Sequence, residues 1–228
     1  MQNIDLYTPI VGRPVIDDLR LLGERLAGKV IQHVNSTAVG GGVAEILTRM
    51  VPLLRELGVD TRWDVIKGGE RFFAVTKKFH NVLHGRADSV TRQDFYEFME
   101  TGQKNVEDME TYGDVVFIHD PQPVMLVKKR RDNLWLWRCH IDVSNPDQAV
   151  WKFLRRFVVQ YDAAVFSAPS FSQRLPIPQY LIAPSIDPLA DKNRELAPET
   201  IHELLDKYQV PTDKPLVTQI SRFDRLKD

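Results

Sequence analysis

Residues 29–65 read KVIQHVNSTAVGGGVAEILTRMVPLLRELGVDTRWDV, and this stretch decides the fold. The β-branched run KVIQHVNS reads as a short buried strand. It enters TAVGGG, and from Gly42 the apolar residues of VAEILTRMVPLLRELG fall at helical spacing. Pro52 inside that helix is expected to kink it or weaken one turn, and Gly58 ends it. VDTRWDV supplies the next strand. Strand, glycine-rich turn, helix and strand make a βαβ unit, which implies a parallel sheet.

The same alternation extends in both directions. Upstream, Val15, Leu19, Leu22 and Leu26 of VIDDLRLLGERLAG recur at helical spacing, with Pro14 suited to the first turn and Gly28 to the exit. Downstream, ERFFAVTKKFHNVLHG and RQDFYEFMETGQKNVEDME read as helices. DVVFIHD is a strand running into a turn at Pro121 and Pro123, and NLWLWRCHID is a strand ending in a polar turn. DQAVWKFLRRFVVQY is an amphipathic helix with Val150, Phe153, Leu154 and Phe157 on one face. DAAVFSA and QYLIAPS are further strands, and APETIHELLDKYQ another helix. This order predicts an α/β fold, a doubly wound, mostly parallel Rossmann-like sheet. VPTDKP reads as a linker and PLVTQIS as a new strand. The expected domains are therefore 1–210, and 211–228 as linker and first strand of a second domain cut short.

Composition bounds the function. In 228 residues, 43% are hydrophobic and 27% charged, ordinary globular usage that excludes a disordered chain or a fibre. Lys+Arg number 30 against Asp+Glu 31, a net charge of −1, so charge makes no case for nucleic acid or an anionic membrane as partner. The single cysteine, Cys139, forms no intrachain disulfide and no cysteine-cluster metal site. No apolar run reaches the roughly 18 residues of a membrane span. The start MQNIDLYTPIVGRP lacks the basic residues and apolar stretch of a signal peptide. A soluble, cytoplasmic protein is expected.

Three strand ends carry the candidate chemistry. Gly40, Gly41 and Gly42 lie between strand and helix, where glycine lets a backbone approach a ligand and the helix start offers free N–H groups. The loop is neither a Walker loop nor GxGxxG, so no dinucleotide is indicated. Three successive glycines exceed what a turn needs. His119 and Asp120 follow the strand DVVFIH; the carboxylate there is placed to accept hydrogen bonds from sugar hydroxyls or to take a proton, or else only caps the turn at Pro121 and Pro123. His140 and Asp142 hold the same place after NLWLWRC. If the strands 30–35, 115–119 and 134–139 are neighbours, Gly41, Asp120 and His140 converge on one crevice.

Other features favour plainer roles. His80 and His84 are spaced i, i+4, but no Glu completes an HExxH and no third ligand suggests itself, so a solvent-facing pair is expected over a metal site. The basic run 128–131 suits a helix end, and Trp135, Trp137 and Trp151 suit packing. Arg222 and Lys227, in SRFDRLKD, are cations that could each hold one phosphate of a diphosphate. Spacing alone slightly favours a surface charge run.

Taken together, HVNSTAVGGGVAEIL, VIKG, HDPQP, WRCHIDVSNP, WKFLRRFV, PSIDPLADKN and QISRFDRLKD resemble the trehalose glycosyltransferring synthases of archaea and bacteria. These are retaining GT-B glycosyltransferases, related to fungal trehalose phosphorylase. The resemblance runs from about residue 12 to the last residue. It implies the N-terminal half of a two-domain GT-B enzyme that joins glucose from a nucleoside diphosphate glucose to free glucose, giving α,α-trehalose. By that likeness Gly40, Gly41 and Gly42 lie beside the donor phosphates and the acceptor. Asp120 holds acceptor hydroxyls, His140 stands against the transferred glucose, and Arg222 and Lys227 neutralise the donor diphosphate. No Asp-x-Asp motif is present, which fits a site without an obligatory protein-bound metal or tightly bound cofactor. The expected partners are small molecules, glucose and the sugar nucleotide, with a homodimer open. The family's acidic motif and nucleoside pocket lie beyond Asp228, so little activity is expected from this chain alone. Trehalose phosphorylase and a non-catalytic sugar-binding module are the alternatives. A glycosidase using Asp120 and Asp142 is weaker, because nothing in the sequence sets their separation.

Overall fold

Six parallel strands form one sheet in the computed structural model, which describes residues 3–220. They are β1 Val30–Asn35, β2 Asp60–Val65, β3 Val115–His119, β4 Leu134–Cys139, β5 Ala163–Phe166 and β6 Gln179–Leu181, in the order β2-β1-β3-β4-β5-β6. The connections leaving β1 and β3 run to opposite sides, which opens a crevice at the carboxyl ends of these two strands. The helices are α1 Thr8–Val11, α2 Arg13–Arg25, α3 Gly42–Glu56, α4 Glu70–Leu83, α5 Arg92–Asp108, α6 Gln148–Val158 and α7 Pro198–Lys207. The α/β class and the parallel sheet are as the sequence predicts. No helix among the described residues is long and apolar enough to cross a membrane.

The main core lies between the sheet and helices α4 to α6. Phe72, Phe79, Phe98, Trp135, Trp137, Leu154 and Phe157 meet in it, along with Val34, Val116 and Ile118 of the central strands. A strand covered on both faces should be apolar throughout, and most of β3 to β5 is. The apolar face expected of α6 is buried, and so are Trp135, Trp137 and Trp151. Pro52 lies within α3 without ending it.

Helix α2 departs from its expected face. Val15, Leu19 and Leu22 are 43%, 37% and 48% exposed, whereas Ile16 and Gly23 are buried. Residues seven apart share a helix face, and this face turns inward because Gly23 sits against the end of α3. A Cβ on Gly23 would lie 2.3 Å from the Leu57 carbonyl oxygen. Backbone contact through a glycine, rather than the leucine stripe, sets the orientation of α2.

The chain divides into two compact units at Ile186 and Asp187. The second contains α7. The domains expected from sequence, 1–210 and 211–228, stand as a proposal beside this division. The strand expected at PLVTQIS does not form over 215–220. A strand requires a partner for its ladder, and here Val217 and Ile220 are fully exposed. Arg222 and Lys227 lie outside the described residues.

Candidate active site

Strand β1 delivers the glycine loop. Asn35, its last residue, accepts from Trp63 Nε1 at 2.8 Å and donates to the Thr37 carbonyl at 2.8 Å. The Thr37 hydroxyl donates to the Val39 carbonyl at 2.7 Å. Gly40 and Gly41 then adopt φ of +74° and +83°, which side chains other than glycine rarely take. Gly42 does not share that backbone, and a Cβ on it would meet nothing within 4 Å. Conformation therefore explains two of the three glycines, and the third leaves open space beside the first turn of α3. Gly41 caps that helix without a side-chain hydrogen bond, so its first N–H groups have no side-chain cap.

Asp120 follows β3 with φ of +66°, a left-handed backbone that Asp tolerates better than most residues. Its neighbours hold it there. The Asp120 N–H donates to the Arg138 carbonyl at 2.8 Å, and Trp137 Nε1 donates to the Asp120 carbonyl at 3.0 Å. Asp120 Oδ1 accepts from the His140 backbone N–H at 2.7 Å. That leaves Oδ2 without a partner among the described residues. Burial raises the carboxyl pKa from 3.8 to about 6, against the opposing pull of the His140 N–H and the Arg138 charge. A carboxyl tuned to that range is suited to accept hydroxyls or to hold a proton near neutral pH.

The structure thus brings Asp120 and His140 together. Because β1 is the neighbour of β3, the loop carrying Gly41 leaves the same edge of the sheet. His140 is half-buried, and burial lowers its pKa to about 3. Its Nε2 lies 2.9 Å from His119 Nδ1, and His119 Nε2 lies 3.0 Å from His33 Nδ1. Desolvation lowers both of these as well, His33 to about 4 and His119 well below its ordinary value.

Three residues of this neighbourhood escaped the sequence reading. His33 sits in KVIQHVNS, among the β-branched residues of that run. The signal was available: Gln32, His33 and Asn35 are fully buried polar residues in a central parallel strand, where apolar side chains are the rule. Arg138 is buried in β4 and donates to the carbonyls of Phe166 and Ile182, fixing the ends of β5 and β6. Gln122, in HDPQP, has its Oε1 buried without a hydrogen-bond partner among the described residues.

Other candidates take structural parts. Asp142 Oδ1 accepts from the Ser144 N–H at 2.8 Å and so closes a turn. His80 and His84 are half-buried rather than solvent-facing, with ring centroids 4.6 Å apart and edge to face. The helix that carries them packs that side partly into the fold, and desolvation lowers the His84 pKa. No group of three or more potential metal-ligating side chains occurs among the described residues. In the basic run, Lys128 donates to Gln103 Oε1, Lys129 to the Val106 carbonyl, and Arg130 pairs with Asp162. A hollow of about 760 Å³ opens at the opposite edge of the sheet, beside Lys29, Asp114 and Asn133. It lies at the strand starts, away from Asp120 and His140.

Residues 33–173 match the family model described as trehalose synthase, N-terminal domain. The chain is 42% identical to the trehalose synthase of Thermococcus litoralis over 99% of its own length and 56% of the relative's. It is 38% identical to the trehalose synthase of Rubrobacter xylanophilus, over 97% of the chain and 56% of the relative. The trehalose phosphorylase of Grifola frondosa is 29% identical over 68% of the chain and 24% of its own length. The chain spans about half the length of the synthases it matches.

Proposed function

The chain belongs to the trehalose synthase family, and from that premise we propose that it is the acceptor-side part of a retaining glucosyltransferase. The reaction joins glucose from a nucleoside diphosphate glucose to free glucose, forming α,α-trehalose and the nucleoside diphosphate. The observation that carries the reading is the pair Asp120 and His140, tied by the 2.7 Å bond between His140 N–H and Asp120 Oδ1 at the crevice where β1 and β3 part. Sugars are bound by converging hydrogen-bond donors and acceptors, and this edge presents both.

In the mechanism, the acceptor glucose gives a hydroxyl hydrogen bond to Asp120 Oδ2, which orients its attacking oxygen. His140 stands against the transferred glucose. The uncapped first turn of α3, reached through Gly40, Gly41 and Gly42, lies beside the donor phosphates and contributes N–H groups and a positive dipole end. Substitution proceeds on the face from which the diphosphate departs, through an oxocarbenium-like state: the bond from the anomeric carbon to the phosphate oxygen breaks, the acceptor oxygen bonds to that carbon, and the acceptor's hydroxyl proton passes to the departing phosphate oxygen. Arg222 and Lys227, assigned by likeness of motif, hold the leaving diphosphate and offset its growing charge. The sugar nucleotide is a substrate, and no resident metal enters the steps proposed.

The test is a coupled assay of nucleoside diphosphate release from the sugar nucleotide and glucose. A full-length protein, at the length of the relatives, is expected to turn over, and the present chain alone to release little. Release that does not depend on added glucose would refute the reading. A second reading, phosphorolysis of trehalose, is favoured only by the likeness to the phosphorylase of Grifola frondosa. Trehalose breakdown driven by phosphate, compared with breakdown driven by a nucleoside diphosphate, separates the two.

A further inference from the structure

His33 on β1, His119 on β3 and His140 after β4 form a row of rings, with N···N distances of 3.0 and 2.9 Å. The ring centroids are 5.3 and 5.2 Å apart, close to the N···N distance plus a ring radius at either end. Each contact therefore lies near the ring planes, where the nitrogen lone pairs and N–H bonds point.

Burial keeps the three rings neutral at ordinary pH, and a neutral imidazole carries one N–H. Each contact needs one proton between its two nitrogens. The N–H groups must then all point the same way along the row, and only two arrangements meet that demand. In one, His140 Nδ1 carries the outermost N–H and His33 Nε2 is a bare lone pair. In the other, His33 Nε2 carries the N–H and His140 Nδ1 is bare. His33 Nε2 is buried with no partner among the described residues. A buried N–H without an acceptor is the rarer orphan in proteins, so the first arrangement prevails.

We propose that His33 and His119 are positioning residues that hold His140 as an Nδ1–H donor for an oxygen of the transferred sugar. The sugar in that statement rests on the function proposed above; the tautomer rests on the row itself. No proton is transferred. The row fixes which nitrogen of His140 donates, and a sugar oxygen is the acceptor it matches.

The experiment is long-range 1H–15N correlation spectroscopy on the 15N-labelled chain at neutral pH, with each histidine assigned by single substitution. His140 is expected to carry its proton on Nδ1. His119→Phe removes the donor to His140 Nε2 and should move His140 toward the Nε2–H form that free imidazole side chains favour. His119→Asn should preserve the wild-type signature, since its amide can place an N–H where Nδ1–H was. His33→Phe tests the row one ring further back and should release His140 in part. An Nε2–H tautomer at His140 in the wild type overturns the proposal, even if no variant folds. So does a tautomer unchanged in both phenylalanine variants. In a full-length protein, His119→Phe is expected to lower kcat about tenfold, with His119→Asn restoring most of it. If the spectra hold but His140→Ala leaves turnover unchanged, the sugar contact fails and the tautomer stands. If His140→Ala abolishes turnover but the wild-type ring is Nε2–H, the inference fails and the function stands.

Discussion

The His140 backbone N–H donates to Asp120 Oδ1 at 2.7 Å, so the first residue past β4 anchors the first residue past β3. Parallel pairing makes the two neighbours: His119 lies opposite Arg138 in the register of β3 and β4. The anchor occupies one carboxylate oxygen and leaves the other for a ligand. It also explains how a left-handed aspartate is held in place, with its N–H, its carbonyl and Oδ1 all bonded within the sheet edge.

Asp120→Asn separates the two tasks of this side chain. Asn tolerates the left-handed backbone and keeps an oxygen for the His140 N–H, but it offers an amide where Oδ2 was. In a full-length protein, kcat/KM for glucose is expected to fall about 10²-fold, with the far-ultraviolet circular dichroism unchanged. Nucleoside diphosphate release measures the first and the spectrum the second.

Acid should destabilise the chain in a way two variants shift oppositely. His33 and His140 have folded pKa values of about 4 and about 3, below the unfolded value near 6.5. As pH falls below 6.5 the unfolded chain takes up protons that the folded chain refuses, and by pH 5 each residue costs about 2 kcal/mol. Asp120 acts the other way. Its folded pKa of about 6 exceeds the unfolded 3.8, so acidification to pH 5 returns on the order of 1 kcal/mol. Urea unfolding at pH 7 and pH 5 is expected to show a smaller acid loss in His140→Ala and a larger one in Asp120→Asn.

The glycine loop gives a contrast within adjacent residues. Gly41→Ala must place a side chain at φ of +83° and ψ of 158°, an essentially glycine-only backbone, at a cost of about 1–3 kcal/mol. Gly42→Ala has neither positive φ nor a neighbour within 4 Å, so its stability should stay within about 0.5 kcal/mol of wild type. If donor phosphates approach this turn, Gly42→Ala should still raise KM for the sugar nucleotide. Denaturation midpoints and KM together check both halves.

Gly23→Ala tests the packing of α2. The new methyl would meet the Leu57 carbonyl at 2.3 Å, and backbone at a helix end yields little. The expected loss is about 1–3 kcal/mol, despite the better helix propensity of alanine. Leu22→Ala, on the exposed side, should cost less than Gly23→Ala. Thermal melts of the two variants decide which face orients the helix.

The backbone plan was readable in advance where local chemistry dictates it. Gly58 takes φ of +81° after α3, Pro14 opens α2, and the alternation of strands and helices follows apolar spacing. The convergence of Asp120 and His140 was also inferable, because parallel strands place their carboxyl ends together. What escaped depended on contacts across long sequence separation. The bond between His33 and His119 joins residues 86 apart, and no local pattern encodes it. The face of α2 escaped because a glycine's close approach leaves no apolar signature. PLVTQIS has strand composition, but composition supplies no partner.

The closed end at His33 has a final consequence. With Nε2 buried and without a partner among the described residues, the histidine row offers no through-route for hydrogen ions across the sheet. Among the described residues the row opens toward solvent at the half-buried His140, so a molecule occupying that mouth is expected to slow deuterium uptake at the His140 ring.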